Sequence, residues 1–133
     1  MSVSEQSISH LLDQFDPELY LFDESVPTEE ELDDLEQHHG ISFPPAYRAF
    51  VCQGGHNYAG IANRILSPRR ALSDQAHVDT HLLPFAENGC GDWYCWPVAA
   101  LPGAPVVWWD HETQTTSDYA DSFTTCLEQW VSS

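Results

Sequence analysis

The chain has 133 residues, no lysine, four arginines and 21 aspartates and glutamates, which give a formal net charge of −17. This charge repels nucleic acid and anionic lipid, so we expect neither as a partner, and an apolar fraction of 42% excludes a disordered acidic tail. The acidity favours a basic protein partner, although net negative charge also serves solubility alone.

The length is close to the usual size of one domain, so we predict a single domain over residues 1–133. The apolar stretches are too short for a membrane-spanning helix, and the N-terminus lacks the pattern of a secretory signal. Four scattered cysteines with apolar or aromatic neighbours are typical of reduced, buried thiols. We therefore expect a cytoplasmic protein and leave its oligomeric state open.

Three helices are predicted in the N-terminal part. An apolar stripe at helical spacing from Ile8 to Phe15 indicates the first helix. The second begins with the capping-box pair Thr28 and Glu31 and ends at Gly40. A double proline favours the start of the third, which Gly54-Gly55 stops.

Strands and a closing helix follow. Asn88-Gly89 is a strong hairpin signal between two apolar segments. Helices followed by antiparallel strands and a last helix predict an α+β fold. The predicted strands lie within Tyr58–Leu66, Leu82–Ala86, Trp93–Trp96 and Val106–Trp109, with a helix from Ser67-Pro68 and a last helix over Ser122–Val131.

Four tryptophans concentrate on two of these strands. Because neighbouring side chains of a strand point to opposite faces, Trp108 and Trp109 diverge. One interpretation makes the tryptophans core and half-exposed surface. The other makes one of each strand's pair an anchor for a partner, since tryptophan is enriched among interface hot spots. The candidate anchors are Trp93, Trp96 and Trp109.

Acidic residues lie at the ends of the same strands and complete the candidate partner-binding set. Carboxylates around an aromatic anchor can pair with arginine or lysine of a partner. Asp92 and Asp110 have a second interpretation, because aspartate at these positions more often caps a turn. The acidic candidates are Glu87, Asp92, Asp110 and Glu112.

Other chemistry is weakly indicated. The acidic run Glu29–Glu36 is either a solvated helix face or a docking surface for a basic patch. His77 and His81 have a spacing that can place two metal ligands on one helix face, but no further ligand pattern accompanies them. We expect no metal and no cofactor.

An enzyme would need a nucleophile and a base. Cys90 or Cys95 can be drawn beside His111 and Asp110, but an electronegative chain raises the pKa of a thiol. The sequence also lacks a phosphate loop and a dinucleotide fingerprint. We therefore predict that the protein is not an enzyme.

Three stretches occur in a characteristic order: His39–Phe50 followed by two glycines, Leu83–Cys95 with Gly-Asp, and Val106–Glu112 with Asp-His. Together they resemble the SUKH superfamily, which includes fungal cell-wall assembly regulators and bacterial immunity proteins. The resemblance extends from about Pro27 to Val131. It implies an α+β fold in which N-terminal helices and a C-terminal helix flank a twisted, mostly antiparallel sheet.

The resemblance also implies a binding module rather than an enzyme. Bacterial members bind and neutralise a cognate polymorphic toxin, often a nuclease. The acidic charge fits this role independently, because a domain that holds nucleic acid needs a positive cleft that an acidic inhibitor can occupy. The alternative is a regulatory or scaffold module with no toxin partner, as in the fungal members.

Overall fold

The computed structural model describes residues 5–13, 18, 24–57 and 63–131. The α-helices of these residues are α1 Glu5–Leu12, α2 Glu29–His39, α3 Pro45–Cys52, α4 Pro68–Asp74 and α5 Phe123–Val131. The strands are β1 Arg64–Ile65, β2 Leu82–Glu87, β3 Trp93–Pro97, β4 Val106–Asp110 and β5 Thr115–Ala120. Short 3-10 helices occupy Gly55–Asn57, Gln75–His77 and Val98–Ala100.

The strands form one sheet in the order β1-β2-β3-β4-β5, and every neighbouring pair is antiparallel. The α+β class and the antiparallel sheet are therefore confirmed. Of the predicted first strand only Arg64–Ile65 is a strand, and residues 58–62 lie outside the described residues. Phe15, predicted in the first helix, also lies outside them. The edge strand β5 was not predicted.

The predicted ends of α2 and the predicted start of α4 are confirmed. The Thr28 hydroxyl accepts a hydrogen bond from the Glu31 N–H at 3.1 Å and so caps α2. Gly40 ends that helix with a φ of 66°, a left-handed conformation that glycine adopts without strain. The Ser67 hydroxyl accepts from the Arg70 N–H at 3.4 Å at the start of α4.

The main core lies between one face of the sheet and helices α1, α3 and α5. Trp96 is fully buried there and stacks on Phe85, with ring centroids 4.3 Å apart. Tyr47 and Phe123 meet Trp96 edge-on, at 5.0 and 6.2 Å. The Tyr47 hydroxyl donates a 2.6 Å hydrogen bond to the Leu66 carbonyl, so the one buried phenol of α3 is satisfied.

The opposite face of the sheet, here termed the outer face, carries a smaller cluster. Cys95 and Trp109 lie in it with Leu82, and Val107 packs against it. The turn after α4 reaches this face, where the His77 ring is parallel to that of Trp93 with centroids 6.2 Å apart. Both faces of the sheet carry aromatic residues. Whether a tryptophan is accessible therefore depends on the face from which its side chain projects.

Arg48 joins α3 to the acidic face of α2. Its guanidinium pairs with carboxylates on successive turns, Glu29, Asp33 at 2.9 Å and Glu36 at 2.7 Å. The other oxygen of Glu36 accepts the Phe43 N–H at 2.6 Å. Part of the acidic run that was considered as a docking surface therefore serves helix packing.

Within the described part of the chain, none of the helices combines the length and the apolar character needed to cross a lipid bilayer.

Candidate functional site

Two hairpin loops lie side by side at one end of the sheet. Because neighbouring strands are antiparallel, the end of β2, the start of β3, the end of β4 and the start of β5 share this end. We term residues 87–93 and 109–115 the hairpin end. Six of the seven candidate residues belong to it, so residues far apart in the chain form one surface.

A cross-strand row runs through the hairpin end on the outer face. Glu87 is directly opposite Trp93, and Trp93 is directly opposite Trp109. Paired residues of neighbouring strands project from the same face. Trp93 is half-buried, whereas the neighbouring Trp109 is only 9% exposed. Trp93 is therefore the tryptophan of the row that a partner can reach.

Asp92 ties the two loops together. Its Oδ1 lies 2.6 Å from His111 Nδ1 and accepts the His111 N–H at 3.0 Å. Its Oδ2 accepts a hydrogen bond from Asn88 Nδ2 at 3.0 Å. Both carboxylate oxygens are thus engaged within the protein, and Asp92 is 9% exposed. The turn-capping interpretation describes Asp92 better than a direct contact with a partner.

The pair changes the titration of both residues. The hydrogen bond to Asp92 raises the pKa of His111 above its ordinary 6.5, and the nearby carboxylates of Asp92, Glu112 and Asp110 add to this. Hydrogen bonds from His111 lower the pKa of Asp92 below its ordinary 3.8. The histidine-dependent stabilisation is therefore complete below pH 6.5 and is lost as the pH rises through the raised native pKa.

We expect His111→Gln to lower the stability of the hairpin end in a pH-dependent way. Below the ordinary histidine pKa the wild type should melt at a higher temperature than the variant, because only the wild type has the charged pair. The difference should shrink as the pH rises through the raised pKa of His111, because the imidazole then becomes neutral. Melting curves of both proteins from pH 5 to 9 measure it.

His81→Gln is the matched control, since His81 is also exposed and lies outside the hairpin end. Because His81→Gln keeps the hydrogen bond between Asp92 and His111, it should not reproduce the loss of melting temperature expected for His111→Gln. A constant difference for His111→Gln at every pH would show that the charge on His111 contributes nothing.

Asp110 and Glu112 shape the second loop. Asp110 Oδ1 accepts the Glu112 N–H at 2.8 Å, and the Asp110 carbonyl accepts the Gln114 N–H at 2.7 Å. Asp110 remains half-buried and Glu112 is exposed. Both carboxylates can meet a partner while the loop keeps its conformation.

The positive charges lie elsewhere. After Arg70 the sequence has nine aspartates and glutamates and neither arginine nor lysine. Every arginine ion pair found among the described residues is with a carboxylate of residues 24–36: Arg48 with three, Arg64 and Arg70 with Glu24, and Arg69 with Glu31. The negative charge of the hairpin-end carboxylates is therefore not offset by an arginine. His111 is the basic group beside them.

Trp96 is the clear correction to the candidate set. The sequence predicts it as an alternative to Trp93 for the anchor, but its side chain is fully buried against Phe85 and Tyr47. Trp93 and Trp96 are three residues apart on one strand, so they point to opposite faces. The helices cover the face to which Trp96 points, and a partner cannot reach it.

Metal and nucleophile chemistry find little support here. Asp92, Asp110 and His111 bring one potential ligand atom each to within 4.8 Å of one another, but the hydrogen bonds among them account for their positions. His77 ends a 3-10 helix and His81 lies in a later turn, so they do not share a helix face. Burial raises the pKa of Cys95 to about 12, which leaves it a neutral thiol at physiological pH.

The family model for the SMI1 / KNR4 family (SUKH-1) matches residues 26–129. The chain belongs to this family. The match spans most of the chain and confirms the SUKH resemblance. The SUKH-1 family includes immunity proteins and regulatory domains without enzymatic activity. No curated protein and no solved structure matches the chain significantly.

The structure gives a physical reason for the two short motifs of this SUKH-1 chain. The Gly-Asp motif supplies Asp92 and the Asp-His motif supplies His111, and the two residues bind each other. Gly91 has a φ of +99°, and a Cβ on it would lie 3.1 Å from the His111 ring. Glycine therefore fits where the loops meet, and any other residue would be strained there. The sequence contained both motifs, but it did not indicate that they touch.

Proposed function

We propose that this SUKH-1 protein is an immunity protein that binds and neutralises a cognate polymorphic toxin with a cationic surface, such as a nuclease domain. The observation that carries the proposal is the hairpin end. There the accessible Trp93 lies on the outer face opposite Glu87, while Asp110 and Glu112 lie in the neighbouring hairpin loop, and neither loop contains arginine or lysine.

Charge acts first in the proposed mechanism. The carboxylates of the hairpin end attract a basic surface over several ångströms, and the arginines that would offset them are paired with residues 24–36. Electrostatic attraction of this kind raises the association rate and rejects acidic partners. A toxin that holds nucleic acid presents such a surface at its own active site.

Trp93 then supplies the contact that holds the complex. Its indole is half-buried and backed by the His77 ring, so little conformational freedom remains to be lost on binding. Trp109 supports it from the neighbouring strand. A large aromatic side chain inside a charged rim is the usual composition of an interface hot spot.

The proposed role is non-catalytic and cytoplasmic. Neutralisation needs only occupation of the toxin surface. Of the two candidate nucleophiles, Cys95 is a buried neutral thiol and Cys90 is exposed in the hairpin end. Cys52, Cys90, Cys95 and Cys126 are all thiols rather than halves of a disulfide, which is the state that a reducing compartment maintains.

Gene neighbourhood and binding test the proposal together. We expect a gene for a toxin with a variable C-terminal domain directly upstream, and this domain, purified in an inactive form, should bind the protein. The association rate should fall at least about tenfold between low and high salt. A chain with no such neighbour, or a neighbour that does not bind, would favour the regulatory alternative.

Trp93→Ala should lower the affinity for that toxin domain by about 30-fold or more, as expected for a hot spot. Trp108→Ala is the matched control. Trp108 is also half-buried, but it projects toward the helix-covered face beside the main core. Isothermal titration of both variants measures the difference, and equal losses would exclude Trp93 as the anchor.

A further inference from the structure

The strand β5 leaves one edge of the sheet open. Among the described residues it pairs with β4 and with no other strand. All side chains from Thr115 to Tyr119 are exposed. An edge strand directs alternate N–H and C=O groups outward, where they can bind another extended chain.

The features that commonly block such pairing are missing from most of β5. The strand contains no lysine and no proline. Its register with β4 is regular from Thr115 to Asp118, and the one irregularity lies beyond, opposite Val106 and Val107. The Trp130 indole donates a 2.9 Å hydrogen bond to the Tyr119 hydroxyl, which fixes the strand to α5. The edge is therefore a rigid and accessible template.

The charge around β5 determines which kind of chain can bind at this edge. Asp110 and Glu112 lie at one end of β5, Asp118 lies within it, and Asp121 follows it. A second copy of the chain would bring identical carboxylates against these, since neither arginine nor lysine follows Arg70. An extended segment rich in arginine or lysine meets opposite charge instead, at both ends of the strand and at Asp118.

We propose that the β5 edge binds a cationic extended segment of the toxin as an added strand. The inference rests on the proposed function and specifies how the protein contacts the toxin. Because Thr115 is opposite Asp110, a strand laid on β5 begins at the hairpin end and continues its surface. Six residues of β5 extend over about 20 Å, enough to hold a segment of similar length.

Proline variants test the main-chain contact. Successive residues of a strand point their N–H groups to opposite sides, so one of Thr116→Pro and Ser117→Pro removes an outward N–H and the other removes a bond to β4. The variant that keeps the wild-type melting temperature is the edge variant. It should bind the upstream-encoded toxin domain at least about tenfold more weakly than the wild type.

Amide hydrogen exchange gives a second readout that needs no substitution. In the complex the outward amides between Thr115 and Tyr119 should exchange much more slowly than in the free protein. If the wild type binds but the edge variant binds equally well and these amides stay unprotected, the edge inference is wrong and the proposed function stands. If the wild type does not bind, both fail. Protection in the free protein together with a dimer in sedimentation would identify a second copy as the occupant.

Discussion

Replacing Trp96 by alanine is expected to lower the free energy of unfolding by about 3–5 kcal/mol. The indole is fully buried, stacks on Phe85 at 4.3 Å and meets Tyr47 at 5.0 Å. Its removal leaves a cavity bounded by rings from the sheet and from α3, which cannot all collapse into it. Urea unfolding of the variant measures the loss.

Trp93→Ala is the control on the same strand. Its indole is half-buried on the outer face, so we expect a loss of about 1–2 kcal/mol. The two variants should therefore separate stability from binding: we expect Trp96 to carry the stability, and we propose that Trp93 carries the binding. Equal losses of stability would contradict the assignment of the two faces.

Local chemistry in the sequence predicted much of the fold. Thr28 and Gly40 bound α2 as expected, because a cap depends on residues within one turn of it. The hairpin at Asn88-Gly89 and the strands on either side of it were also predicted correctly. Each of these features is determined by neighbours in the chain, which the sequence shows directly.

The strand β5 was missed because its residues are polar on both faces. Thr115, Thr116, Ser117 and Asp118 show no apolar alternation, and all are exposed. Pairing with β4 makes this segment a strand, since its backbone completes the hydrogen bonds of the sheet. Tertiary pairing of this kind leaves little trace in the side chains of an edge strand.

The sequence predicted which residues belong to the candidate site, but not how they are arranged relative to one another. Glu87, Trp93 and Trp109 were chosen individually, and only the strand register shows that they form one row. Asp92 and His111 are nineteen positions apart and meet because two hairpin loops lie side by side. The same register separates Trp93 from Trp96, which sequence reasoning treated as alternatives for one role.

The approach of Gly55 to the core explains how Glu24 and Ser25, which precede α2, are held in place. Gly55 lies against the Phe50 ring at the start of a 3-10 helix. The next two residues bind the chain before α2: Asn57 exchanges two hydrogen bonds with the Glu24 backbone at 2.9 and 3.0 Å, and His56 Nε2 lies 3.2 Å from the Ser25 carbonyl. These contacts depend on the close approach of the 3-10 helix to α3.

Gly55→Ala is expected to lower the free energy of unfolding by about 1–3 kcal/mol through overpacking. A Cβ there would lie 2.5 Å from Phe50 Cζ, and the fully buried Phe50 ring is packed edge-on against Phe123. The backbone at residue 55 must then move away from the Phe50 ring, which weakens the hydrogen bonds between Asn57 and Glu24. Gly103→Ala is the control, because its Cβ would meet nothing within 4 Å. Thermal unfolding should show a clear loss for the first variant and almost none for the second, and equal melting temperatures would mean that the Phe50 ring yields without cost.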